Sequence, residues 1–194
     1  MPQQLSLFGT PPDTSQDRLF FALQPGPAAA TGIARLTADL RRELGIKGPV
    51  VAIERLPVTL HYIGDYAGLP RHIVASASAV LADLAAPAFE VAFDRVATFG
   101  RHGSRLPLVL RGGDDDTALA ALQQMLASAM ARAGLRQRLG GRSPPHVTLL
   151  YGDRAVTERT VEPIRWVADE VVLVHSLVGR SRHVVLARRR LAAA

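Results

Sequence analysis

The sequence predicts an α+β protein of two pseudo-repeated lobes, bilobal in shape, with antiparallel or mixed sheets lining a central cleft and helices on the outer faces. Three observations point there. A β-rich phrase occurs twice, as "PVTLHYIG" from Pro57 to Gly64 and as "HVTLLYG" from His146 to Gly152. Each copy follows a strand and an amphipathic helix at nearly the same spacing, about 39 residues from Arg18 to Pro57 and about 40 from Leu106 to His146. The 194 residues are 48% hydrophobic, enough for one compact core or two small lobes sharing one.

The elements follow in order. Residues 1–17 are rich in Gln, Pro and Ser without a period and read as a flexible tail, leaving 18–190 as a single folded domain. "RLFFAL" from Arg18 is a short apolar run suited to a buried strand, ended by a Gln-Pro-Gly-Pro turn. Ile33, Leu36, Leu40 and Leu44 recur at helical spacing with arginines between them, and Gly45 closes that helix. "VVAIER" (50–55) and "VTLHYIG" read as strands. Ile73, Ala77, Val80, Leu81 and Leu84 mark a second helix, stopped at Pro87. Phe89, Val91 and Phe93 alternate along a strand, and "LPLVL" from Leu106 is another. Asp114 to Asp116 suit the positive start of a third helix carried by Leu119, Leu122, Leu126 and Met130 and ended at Gly134. "HVTLLYG", "IRWV", "EVVLVHSLVG" and "HVVLARR" complete the chain as strands.

Composition narrows the function classes. The absence of cysteine excludes disulfides and cysteine-ligated metal sites and fits a reducing, cytoplasmic location. The first residues lack the basic start and apolar run of a signal peptide, and no segment approaches the roughly 18 apolar residues of a membrane span. Lys47 is the only lysine among 23 basic residues, and the net charge is +6. Arginine forks match phosphate, so this leans toward a phosphorylated or nucleic-acid partner, although a general arginine preference accounts for it equally.

Side chains two apart in a strand share a face. His146 and Thr148 therefore point one way while Val147 and Leu149 enter the core, and the same rule puts Pro57, Thr59 and His61 together. A histidine and a threonine from each of two facing strands would combine groups that titrate near neutrality with hydroxyls that donate to phosphate. Such a site could hydrolyse a phosphodiester without metal, one histidine taking a proton from water and the other giving one to the leaving oxygen. Read alone, a His-Val-Thr-Leu string is most often a structural histidine bonding a carbonyl near a strand start, and its pairing with "PVTLHYIG" at a repeated spacing is what favours a functional His146.

The two phrases, the opening "RLFFAL", "SPPHVTLLYG" and "VHSLVGRSRH" together resemble the 2H phosphoesterases, and within them the bacterial 2′-5′ RNA ligase or RNA 2′,3′-cyclic phosphodiesterase branch, over about Arg18 to Arg189. The resemblance implies two lobes that each give one His-x-Thr-x motif to a central cleft, and RNA-processing chemistry that opens a 2′,3′-cyclic phosphate at an RNA end to a 2′-phosphate. Reversible 2′-5′ joining would be a weaker second reaction, and no metal or cofactor is implied. His146 and Thr148 match the second motif and Thr59 the threonine of the first, but Pro57 stands where the first histidine belongs. Three readings stay open. His61 substitutes, although it starts roughly 13 Å from the missing side chain; the chain works slowly with one histidine; or it binds RNA ends or nucleotides without turnover.

His72, His102, His175 and His183 are scattered without the close pairing of metal ligands. Arg180 and Arg182, in the segment that resembles the family's late loop and strand, are candidate phosphate or RNA ligands, and Arg136, Arg138 and Arg142 in the loop before His146 are weaker ones. The tail carries "QLSLF", in which Gln4, Leu5, Leu7 and Phe8 resemble the pentapeptide that docks bacterial proteins onto the DNA sliding clamp; the plainer reading has these side chains folding back on the protein's own body. The chain is expected to act as a monomer and away from membranes.

Overall fold

The computed structural model describes residues 17–100, 105–113, 117–135 and 144–193. The strands are β1 (Asp17–Leu23), β2 (Val58–Tyr66), β3 (Phe89–Thr98), β4 (Leu106–Arg111), β5 (His146–Gly152), β6 (Arg159–Ala168), β7 (Glu170–Leu177) and β8 (Arg182–Arg190). The helices are α1 (Pro27–Glu43), α2 (Arg71–Ala82) and α3 (Thr117–Arg132). They build two four-stranded sheets, ordered β2-β1-β7-β8 and β5-β4-β3-β6. Every pairing within them is antiparallel, which removes the mixed-sheet alternative.

"VVAIER" is not a strand of either sheet. Val50 makes one antiparallel bridge to Leu150, Val51 N donates to the Leu149 carbonyl, and Ile53–Arg55 turn as a short 3₁₀ helix. The apolar run is spent on sealing the free edge of β5, where open N–H and C=O groups would invite other chains.

The two halves repeat: β1-α1-β2 corresponds to β4-α3-β5, and β2 and β5 occupy equivalent edge positions. Their helices are exchanged. α1 joins two strands of the first sheet yet packs against β5 and β6 of the second, where Gly32 leaves room for Ile164. α3 joins two strands of the second sheet and reaches β2 of the first, while α2 lies on β7 and β8. One apolar cluster results, holding Phe21 and Leu60, Phe93 and Leu149, and Ile33, Leu81 and Leu126 from the three helices. Burying all of these in common is what holds the lobes together.

Candidate active site

Each motif strand carries a bulge just after its threonine, and the bulge decides which side chains reach the cleft. In the second sheet Thr148 pairs with Val109, and the register then shifts so that Leu150, not Leu149, pairs with Leu108. In the first, Thr59 pairs with Ala22, and the shift puts His61 opposite Phe21. Ala22 belongs to the small cluster on the cleft face and Phe21 to the main core. Directly opposed residues share a face, so Thr59 lies on the cleft side and His61 does not.

This corrects the expectation that Pro57, Thr59 and His61 share one face, since an extra residue reverses the alternation. His61 corresponds to buried Leu150 of the other copy. Its Nε2 donates to the Gln123 carbonyl of α3 at 2.7 Å, and Gln123 Nε2 donates to the Leu60 carbonyl at 3.1 Å. His61 therefore links β2 to α3, and the geometry behind its role as a substitute base is gone. The aromatic of each phrase, Tyr62 and Tyr151, returns to the cleft side. Arg18 stacks 5.7 Å from the Tyr62 ring centroid, and Tyr151 is near enough to act on the Arg18 charge, so the two faces meet across one cleft.

His146 is half-buried at the start of β5. Its Nδ1 lies 2.8 Å from the Pro144 carbonyl and donates to it, while the Phe99 ring packs edge-on with centroids 4.8 Å apart. Burial lowers the His146 pKa below its ordinary value, partly opposed by the Pro144 bond. At neutral pH the ring is uncharged, and with Nδ1 protonated its lone pair falls on Nε2. The carbonyl bond that would suit a merely structural histidine thus also fixes the tautomer a general base needs.

Pro57 sits half-buried immediately before β2 begins, where the missing N–H costs no ladder bond. Two residues earlier, Arg55 approaches His183, a cleft-facing histidine that the sequence reading passed over. His183 pairs with Ser176 in β8, packs its ring 5.7 Å from that of Phe20, and is lowered to about 4 by burial and then by the Arg55 charge. The signal available was its two-residue spacing from Val185, which packs on the cleft-side cluster.

The arginines named from the late segment lie elsewhere. Arg182 pairs with Leu177, one position from His183, so alternation turns it to the opposite face; Arg180 is in the exposed hairpin turn. Arg136, Arg138, Arg142, His102, Asp114 to Asp116 and the tail residues Gln4, Leu5, Leu7 and Phe8 lie outside the described residues. The cleft face of the second sheet supplies arginines that sequence reading missed. Arg111 pairs directly with His146, and Arg95 pairs with Arg111.

The profile of the 2′-5′ RNA ligase superfamily matches residues 25–180. The chain belongs to this superfamily. Escherichia coli LigT in apo form is similar at 24% identity with a TM-score of 0.70, covering 91% of this chain and 98% of its own. LigT complexed with 3′-AMP is similar at 27% identity and a TM-score of 0.69, covering 90% and 98%. TT0787 of Thermus thermophilus shares the fold at 17% identity and a TM-score of 0.68, covering 91% and 98%. No curated protein matches the sequence. This superfamily member is thus a phosphoesterase-like bilobal protein with one complete His-x-Thr motif, and among its described residues no helix is long and apolar enough to cross a membrane.

Proposed function

We propose that the chain is an RNA 2′,3′-cyclic phosphodiesterase working with one histidine. The observation that carries this reading is the state of His146, uncharged with its lone pair on Nε2, on the same face as Thr148 in a superfamily member. Nε2 accepts a proton from water as the water oxygen bonds to phosphorus and the P–O3′ bond breaks. The 3′ oxygen takes its proton from solvent, because Pro57 has none to give, and a 2′-phosphate with a 3′ hydroxyl results. Thr148 and Thr59 donate to the phosphate oxygens. With a 5′ hydroxyl in place of water as the nucleophile, the same step bonds the 5′ oxygen to phosphorus, breaks the P–O3′ bond and joins RNA ends 2′-5′. LigT complexed with 3′-AMP and with phosphate supports a nucleotide phosphate as the occupant.

The test is hydrolysis of an RNA ending in a 2′,3′-cyclic phosphate by the protein, His146→Ala and Pro57→His. Each proton-transfer group contributes about 10²- to 10⁴-fold, so His146→Ala loses and Pro57→His gains on that order. The pH profile carries the sign: with a base alone, kcat/KM rises through the His146 pKa and levels off, whereas Pro57→His adds a falling limb. Activity in Pro57→His alone supports the second reading, favoured by Pro57 itself, of a non-catalytic binder of RNA ends or nucleotides. A tether to the DNA sliding clamp through Gln4, Leu5, Leu7 and Phe8 is a separate proposal, and unchanged clamp association after removal of residues 1–17 overturns it.

A further inference from the structure

On the cleft face of the first lobe, Arg18 and Arg188 are matched by acids and Arg55 is not. Arg18 donates to Asp65 from Nε at 2.7 Å and from Nη2 at 3.1 Å, and Arg188, opposite Val172, donates to Glu170 at 2.7 Å. Arg55 is half-buried, has no carboxylate partner among the described residues, and keeps its Nε buried without a hydrogen bond. The backbone beneath it is fixed. Arg55 N donates to the Ala52 carbonyl at 2.8 Å, Leu56 is buried in the main core, and Pro57 has a locked φ. The proline that removes a histidine thus stiffens the mount of an arginine.

His183 shows where the charge lies. Its ring springs from β8 yet packs on Phe20 of β1, so it overlies β7, and the Arg55 charge is close enough to add to the effect of burial in lowering its pKa to about 4. β7 lies two strands from β2, which sets the Arg55 guanidinium on the order of 10 Å from Thr59, away from the reacting phosphate. His183 is uncharged at neutral pH and does not balance it. A half-buried guanidinium with an unfilled donor and no acid beside it suits one negative charge.

We propose that Arg55, beside His183, is a phosphodiester subsite on the first lobe that holds the internucleotide phosphate next to the reacting end. A phosphodiester carries the single charge that one guanidinium matches. The lobe that lost its histidine thereby keeps a hold on substrate, and a cyclic mononucleotide leaves Arg55 unused. This rests on the hydrolytic reading above, and its failure separates from the failure of that reading.

The experiment compares a cyclic mononucleotide, a dinucleotide with a 2′,3′-cyclic end, and the same dinucleotide with an uncharged methylphosphonate bridge. The charged dinucleotide is expected to exceed the other two by about tenfold in kcat/KM, the size of one charge-assisted contact. Arg55→Gln should bring that ratio toward one, and Arg55→Lys should recover part of it. Arg55→Gln should also flatten the dependence of log affinity on log salt by about 0.7 for a single strand. The position is read by NMR. The His183 ring signals, identified by their loss in His183→Phe, should shift when the charged dinucleotide product with a 2′-phosphate end binds, and less with the methylphosphonate bridge or in Arg55→Gln. A preference that is absent or that survives Arg55→Gln, or His183 signals that stay unmoved, overturns the subsite and leaves the hydrolytic reading standing. If no substrate is turned over, the hydrolytic reading fails, and equilibrium binding of mono- and dinucleotides ending in a 2′-phosphate decides the subsite by the same ratios. Melting temperatures matched to the native protein show that each variant is folded, and the methylphosphonate and ring signals test the native protein whatever the variants' stability.

Discussion

The cleft faces of the two sheets share a topology and a bulge but differ in what they are made of. The first is floored by Phe20, Ala22, Val172 and Val174, all buried, with an uncharged His183 at its side. The second carries His146, Arg111 and Arg95 in a row with Glu158. Duplicated architecture therefore does not require duplicated chemistry. Each half carries a threonine on the cleft side just before its bulge, and the remaining positions on each face are free to pack or to react. Loss of the first histidine to Pro57 falls on the half whose floor is already mostly packing surface.

The largest expected effect tests whether both halves grip the phosphate. Thr148→Val and Thr59→Val should each lower kcat about 10²- to 10³-fold, as loss of one preorganised donor does. A loss confined to Thr148→Val would show that the first half contributes structure alone. Next, Phe20→Ala should cost about 3 to 5 kcal/mol of stability in chemical denaturation. A loss of activity at full stability would instead make the apolar floor a binding surface. A smaller contrast lies at the positions just past the bulges. Leu150→His buries an imidazole where an apolar side chain packs and should cost about 2 kcal/mol or more, whereas His61→Leu removes one hydrogen bond to α3 and should cost about 1 kcal/mol. Equal costs would mean that the two bulges are not equivalent.

The smallest effect is a pH dependence. The folded-state pKa of His183 lies below its unfolded value, so the unfolded chain binds more protons between about pH 6.5 and about 4 and stability falls as pH drops through that window. His146 acts in the same direction. Solvent around the half-exposed His183 ring moderates the loss. Denaturation midpoints of His183→Phe should vary less with pH over the same range, and an unchanged slope would remove His183 from the account.

Much of the fold was legible because hydrophobic periodicity survives local irregularity. All three helices and every strand of the two sheets lie where Ile33 to Leu44, the V-T-L phrases and "LPLVL" place them. The fold class holds, with mixed sheets removed as an option. What failed was phase. Strict alternation carried past Thr59 puts His61 in the cleft, and one extra residue undoes it, although alignment of His61 with Leu150 in the second phrase pointed to the core. Arg182 fell to the same rule in reverse, being one residue from the position that faces inward. Arg111 and Arg95 were invisible because a row across strands is assembled by pairing register, which no local spacing encodes.

The exchanged helices have a consequence for how the molecule can move and be divided. With α1 seated on the second sheet and α3 against β2 of the first, pulling the lobes apart would strip a helix from each and open the common apolar cluster to water. Neither half carries a complete interior of its own. The chain should therefore melt in a single transition, its two halves should be insoluble when produced separately and recover only when mixed, and the groove between them should admit a strand without swinging open.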